Sequence, residues 1–145
     1  MAHLRTYIVE DSPVIRENLI ATLEEMVPVE VIGTAEDESS AAQWLGKSDK
    51  AACAKMDGNA KDVCSAEAKA KEKVALADLD YKKSGKDSDR IKAAKVKAEQ
   101  DYAVAKEKCE DKSVTDKGAC KKEAKAAEDK AMADLKAEKK VASKG

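Results

Sequence analysis

The spacing of apolar residues changes character along the chain. Leu4 to Val9 is a short apolar run, partly β-branched, and predicts a buried strand. After Asp11-Ser12-Pro13 the apolar positions fall at Ile15, Leu19, Ala21 to Leu23 and Met26, which is helical spacing. Ser12 suits the N-cap and Pro13 the first helical position, while Pro28 cannot continue the helix. Val29, Val31 and Ile32 predict a second strand closed by Gly33-Thr34, and Glu36 to Ser40 lead into a second helix carrying Ala41, Ala42, Trp44 and Leu45. This β-α-β-α order predicts parallel strands joined by a helical crossover.

Beyond residue 46 the stripes narrow to alanine and the period stays helical. Helices are predicted over 59–83, 88–111 and 115–142, with stripes at Val63, Ala66, Ala70, Val74, Ala77 and Tyr81, then Ile91, Ala94, Ala98, Tyr102, Ala105 and Cys109, then Ala124, Ala127, Ala131 and Leu135. Asn59 with Asp62 and Ser113 with Asp116 have capping-box spacing, and Ser84 to Ser88 reads as a turn with Ser88 as the next cap. The fold class is therefore mixed. A short α/β segment over 1–46 is followed by an all-α helical hairpin or three-helix bundle over 47–145.

Composition sharpens that boundary. Residues 1–46 contain no lysine and carry two basic against nine acidic residues, a net −7, whereas residues 47–145 hold 26 basic and 20 acidic residues, a net +6. Thirteen Val, Ile or Leu fall in the first 46 residues and ten in the last 99, so the second part must form its interior largely from alanine, which buries little area. The whole chain carries a net charge of −1, which offers no bulk attraction for nucleic acid or a membrane surface. The lysines alternate with acids and few aromatics accompany them, so no nucleic-acid interface is expected. No apolar run is long enough to span a bilayer and no secretory signal is visible, so a cytoplasmic protein is expected.

The second part repeats itself. Cys53 to Leu79 aligns with Cys109 to Leu135 at a period of 56 residues, sharing the Cys pair, Glu-Ala-Lys-Ala at 67–70 and 123–126, and Ala-Asp-Leu at 77–79 and 133–135. The four cysteines Cys53, Cys64, Cys109 and Cys120 are spaced too widely for zinc pairs, and His3 is the only histidine, so neither a zinc site nor a thiol–imidazole catalyst is expected. Disulfides fit better. Unbroken helix would hold Cys53 and Cys64 about 16 Å apart, so local pairing needs a chain reversal, which Asp57-Gly58-Asn59 and Lys112 to Gly118 offer. Cys53–Cys64 with Cys109–Cys120 is preferred, and the nested pairing Cys64–Cys109 with Cys53–Cys120 remains an alternative.

Tyr7-Ile8-Val9-Glu10-Asp11-Ser12-Pro13, then a helix, then Val29 to Ala35, resembles the start of a bacterial response-regulator receiver domain. The resemblance implies that Glu10 and Asp11 correspond to the acidic pair that helps hold Mg²⁺ at a strand's carboxyl end, chemistry suited to a hard cation. It also implies a third strand bearing a phosphoacceptor Asp, yet residues 47–55 show no strand period. Asp57-Gly58, near the expected distance, reads as a turn. Residues 1–46 thus read as a truncated receiver without a phosphoacceptor, with Mg²⁺ at Glu10 and Asp11 at most vestigial, and no other cofactor is expected.

Residues 50–142 resemble Lys/Ala-rich, Cys-repeat bacterial proteins of unknown function, on the Cys, Gly-Asn-Ala-Lys-Asp, Val-Cys, Glu-Ala-Lys-Ala pattern. That likeness implies an exported origin, in tension with a cytosolic receiver, because cytosolic thiols stay reduced. The expected function is a response-regulator-like signalling protein of the two-component phosphorelay kind by descent, unable to accept phosphate and not an enzyme. The alternative is a non-enzymatic helical scaffold or interaction protein stabilised by disulfides, envelope-associated and recognising a protein partner.

Overall fold

The computed structural model describes residues 2–143. Its elements run β1 (Leu4–Val9), α1 (Pro13–Met26), β2 (Val29–Ala35), α2 (Glu38–Cys53), α3 (Gly58–Ser84), α4 (Asp87–Cys109) and α5 (Val114–Ala142). The chain divides into two compact units, Met1–Leu45 and Gly46–Gly145, and α2 contributes residues to both.

In the first unit β1 and β2 pair in parallel as a two-stranded sheet, from Leu4 opposite Val29 to Val9 opposite Ala35. The register shifts between Thr6 and Tyr7, so Tyr7 lies opposite Gly33. Gly33 is required there. A Cβ at that position would sit 2.6 Å from Tyr7 Cε2 and 3.1 Å from Trp44 Nε1. Tyr7 in turn stacks on Trp44 at 4.2 Å between ring centroids, tilted by 34°, and its hydroxyl donates to the Thr34 carbonyl at 3.0 Å. Ser12 caps α1 by accepting from the Ile15 amide, with Pro13 in the first turn as its fixed φ favours.

The expected buried strand is corrected by its neighbours. Only Ile8 of β1 is fully buried, and Leu4 is 70% exposed, because two strands cover one sheet edge and α1 packs on β2. No residue of α1 is fully buried.

In the second unit α4 packs against both α3 and α5, an open array with α4 between its neighbours. Among its described residues the buried positions are Gly46, Cys53, Ala68, Ala77, Ala93 and Cys109, all small. Small side chains let helix axes approach closely, so the array is held by backbone proximity more than by apolar volume. Gly46 illustrates this: a Cβ there would meet the Glu72 side chain at 2.8 Å, and Glu72 is fixed by Lys50 at 2.5 Å.

The duplication is structural to the residue. Helices α2 and α4 end at Cys53 and Cys109, α3 and α5 begin at Gly58 and Val114, and both offsets equal the 56-residue period. Several expected boundaries shift. The α2 helix continues to Cys53, and α4 ends at Cys109 rather than 111. Ser88 lies inside α4, whose N-cap is Lys86. Asn59 lies in the first turn of α3 behind Asp57, with its side chain engaged elsewhere. Ser113 does cap α5, accepting from the Asp116 amide at 3.3 Å. Gly85 ends α3 in the left-handed region at φ 64°, a conformation that favours glycine.

Candidate functional site

The acidic pair at the end of β1 is turned toward helix entry. One carboxylate oxygen of Glu10 accepts from the Ser12 amide at 3.0 Å, and the Glu10 amide donates to the Ala35 carbonyl at 3.0 Å. Arg16 donates from its guanidinium to the Glu10 carbonyl at 3.0 Å and stands 3.9 Å from Glu36. Asp11 is exposed. The pair therefore offers a cation Asp11 and the second oxygen of Glu10, with a guanidinium held beside them. A divalent ion is favoured by converging oxygens and disfavoured by a fixed positive charge. Among the described residues no group of three or more His, Cys, Asp or Glu side chains is placed to share a metal ion. Asp57 stands at the N-cap of α3 in extended backbone at φ −126°, followed by Gly58 at φ 61°, which is turn geometry.

The four cysteines form the other candidate. Cys53 is bonded to Cys64 and Cys109 to Cys120, with Cα separations of 5.5 and 5.7 Å. Each bond joins the last residue of one helix to the second turn of the next, across a four-residue connection at 54–57 or 110–113. The chain reversal that local pairing demands is thus supplied by the interhelical turns.

Both corners lie at the same end of the second unit, because α3 starts where the antiparallel α4 finishes. The Asn59 side-chain amide donates to the Glu107 carbonyl at 3.2 Å, tying the first corner to the last turn of α4. Lys108 pairs with Glu67 at 2.8 Å across the same α3–α4 seam. The second corner carries an extra clamp. Glu110 pairs with Lys117 at 2.5 Å and also with Lys121. Hydrogen bonds from Lys117 first and Lys121 second hold the Glu110 carboxyl down at about 2. The first corner has Ala54 at the equivalent position and no such clamp.

The far end of α4 is tied to α5 by Arg90, which bonds Asp87 at 2.7 Å and Glu138 at 3.1 Å. Those bonds, Asp87's first, raise the Arg90 pKa above its ordinary value. Lys125 sits 5.4 Å from the Tyr102 ring centroid, and its pKa is raised by the hydrogen bonds it donates, to Glu128 first and Asp129 second.

The sequence singles out Glu10, Asp11 and the four cysteines as candidates, of which the cysteines are joined in the two disulfides, but it does not point to Asn59 as a docking residue or to the Glu110 clamp. The signal for Glu110 was available: it stands 7 and 11 residues before Lys117 and Lys121, reachable only if the chain turns at 110–113. Among the described residues no helix is long and apolar enough to cross a membrane. Compared with protein-family models, curated proteins and solved structures, the chain matches none.

Proposed function

We propose that the chain is a non-enzymatic helical scaffold whose second unit presents a disulfide-clamped end to a protein partner. The observation that carries this reading is the pair of equivalent corners, Cys53–Cys64 and Cys109–Cys120, brought to one end and joined by the Asn59–Glu107 hydrogen bond. Disulfides at both corners suit a rigid shape more than thiol chemistry, and they fit an oxidising, envelope-type compartment better than the cytosol. The test is a thiol count on chain purified without reductant and denatured before labelling. Zero reactive thiols are expected, and four would refute the reading.

A second reading is favoured by a different observation. The parallel β1–α1–β2 unit with Glu10 and Asp11 at the carboxyl end of β1 supports descent from a response-regulator-like signalling protein. In that reading the first unit is a receiver remnant that accepts no phosphoryl group, since phosphoryl transfer depends on positioned charge and a carboxylate acceptor. Incubation with acetyl phosphate and Mg²⁺ should leave the mass of the chain unchanged. A base-labile adduct of one phosphoryl per chain on an aspartate would overturn it.

A further inference from the structure

The second disulfide has one buried end and one open end. Cys109 is 1% exposed. Cys120 is partly exposed and borders a surface cavity of about 380 Å³ lined also by Lys112, Ser113, Asp116, Ala119 and Glu123. The first disulfide has the same polarity, with Cys53 1% exposed and Cys64 partly exposed. The cause lies in the corner. The first cysteine of each pair is the last residue of its helix and is covered, while its partner stands two turns into a helix that starts on the surface.

We propose that Cys120 Sγ is a thiol–disulfide exchange site for a low-molecular-weight thiol, with Cys109 as the leaving sulfur. Exchange needs the attacking thiolate to reach one sulfur, and access decides which one. The open depression beside Cys120 leaves room for a small thiol at that residue, while Cys109 is covered. In the step, the thiolate sulfur bonds to Cys120 Sγ as the Cys109–Cys120 bond breaks. The electron pair leaves on Cys109 Sγ, which then takes a proton from water. The small thiol and Cys120 are left as a mixed disulfide, and Cys109 is reduced to a thiol. Burial disfavours the departing thiolate, so Cys109 returns readily and the adduct needs excess thiol to accumulate. One lysine and two carboxylates line the cavity, so an uncharged probe isolates access from charge.

This site presupposes the disulfide-clamped scaffold, but its test is separate from the thiol count, which reads whether the bonds exist and not which sulfur reacts. The oxidised full-length chain is treated with excess 2-mercaptoethanol, stopped at intervals by a large excess of N-ethylmaleimide in denaturant near neutral pH, and mapped by mass spectrometry. The expected result is mercaptoethanol on Cys120 with maleimide on Cys109, at least tenfold over the reverse arrangement. Ala119→Trp, which fills the cavity from an exposed position, should slow the adduct at Cys120 about tenfold while leaving the adduct rate at Cys64 unchanged as an internal control. An adduct mainly on Cys109, an equal partition, or no adduct on Cys120 at any time point would overturn the proposal, as would an unaltered rate in Ala119→Trp.

Discussion

Tyr7, Gly33 and Trp44 show how much a single missing side chain sets. The ring of Tyr7 lies where a Cβ on residue 33 would fall, 2.6 Å from its Cε2. Gly33→Val should therefore expel Tyr7 from Trp44, cost about 1–3 kcal/mol by overpacking, and shift the emission of the only tryptophan to longer wavelength. Unaltered fluorescence would mean that the stack does not depend on Gly33. Glu110 permits a pH prediction. Its carboxyl titrates at about 2 when folded against an ordinary 4.5. A depressed carboxylate stabilises the fold above its unfolded pKa, and that contribution is lost as pH falls through the folded value. Thermal stability should thus decline from about pH 4.5 toward 2 more steeply in the native chain than in Glu110→Gln, where the difference between the two curves should vanish at the acid end. The Gly33 packing could not be read from local pattern, because Tyr7 and Trp44 arrive from other elements, and the Glu110 clamp shows in the sequence only as a spacing to Lys117 and Lys121 that gains meaning once the chain turns at 110–113. The Ser12 and Ser113 caps could be read locally, since both partners of a cap lie within three residues.

Helices α4 and α5 differ in how they are held. The α4 helix buries Ala93 and Cys109 and is packed on both sides, whereas α5 buries no residue fully and packs mainly on α4. Amide exchange should therefore be fastest among the helices of the second unit along α5, in keeping with the link between few buried contacts and low local stability. Comparable protection in α4 and α5 would contradict this. The disulfide at Cys109–Cys120 closes a short loop and should stabilise by about 3 kcal/mol in the chain-entropy picture. Replacing both cysteines with serine should lower the urea midpoint accordingly, with α5 losing protection first. Ser113→Ala should cost about 1 kcal/mol through loss of the N-cap, measured by the same denaturation. The helices were legible because alanine, lysine and glutamate leave the backbone little alternative. Their ends were less so: Ser88 and Asn59 had cap-like spacing, but the turn at Gly85 and the first disulfide corner place the true ends two residues earlier.

The two units differ in what covers their apolar residues. In the first, Ile15 is 55% and Met26 75% exposed, and among its described residues only Ile8 and Ala35 are buried. In the second, the buried positions are alanine, glycine and cysteine, reinforced by two disulfides. Limited proteolysis of the oxidised chain should therefore cut within residues 2–45 first and leave a resistant fragment containing α3 and α4; initial cleavage within α3 or α4 would contradict this. The change of sequence type near residue 46, the 56-residue period, the helical nature of the second part and the two parallel-strand segments all follow from the sequence by itself. Each rests on periodicity and composition, which act over a turn or a strand at a time. Tertiary structure decided the rest: that the preferred local cysteine pairing prevails over the nested one, that α4 lies between its neighbours, that α1 keeps its apolar stripe exposed, and that Asn59 reaches Glu107. These depend on where chain reversals bring distant residues, and local preference cannot specify a distance across 48 residues.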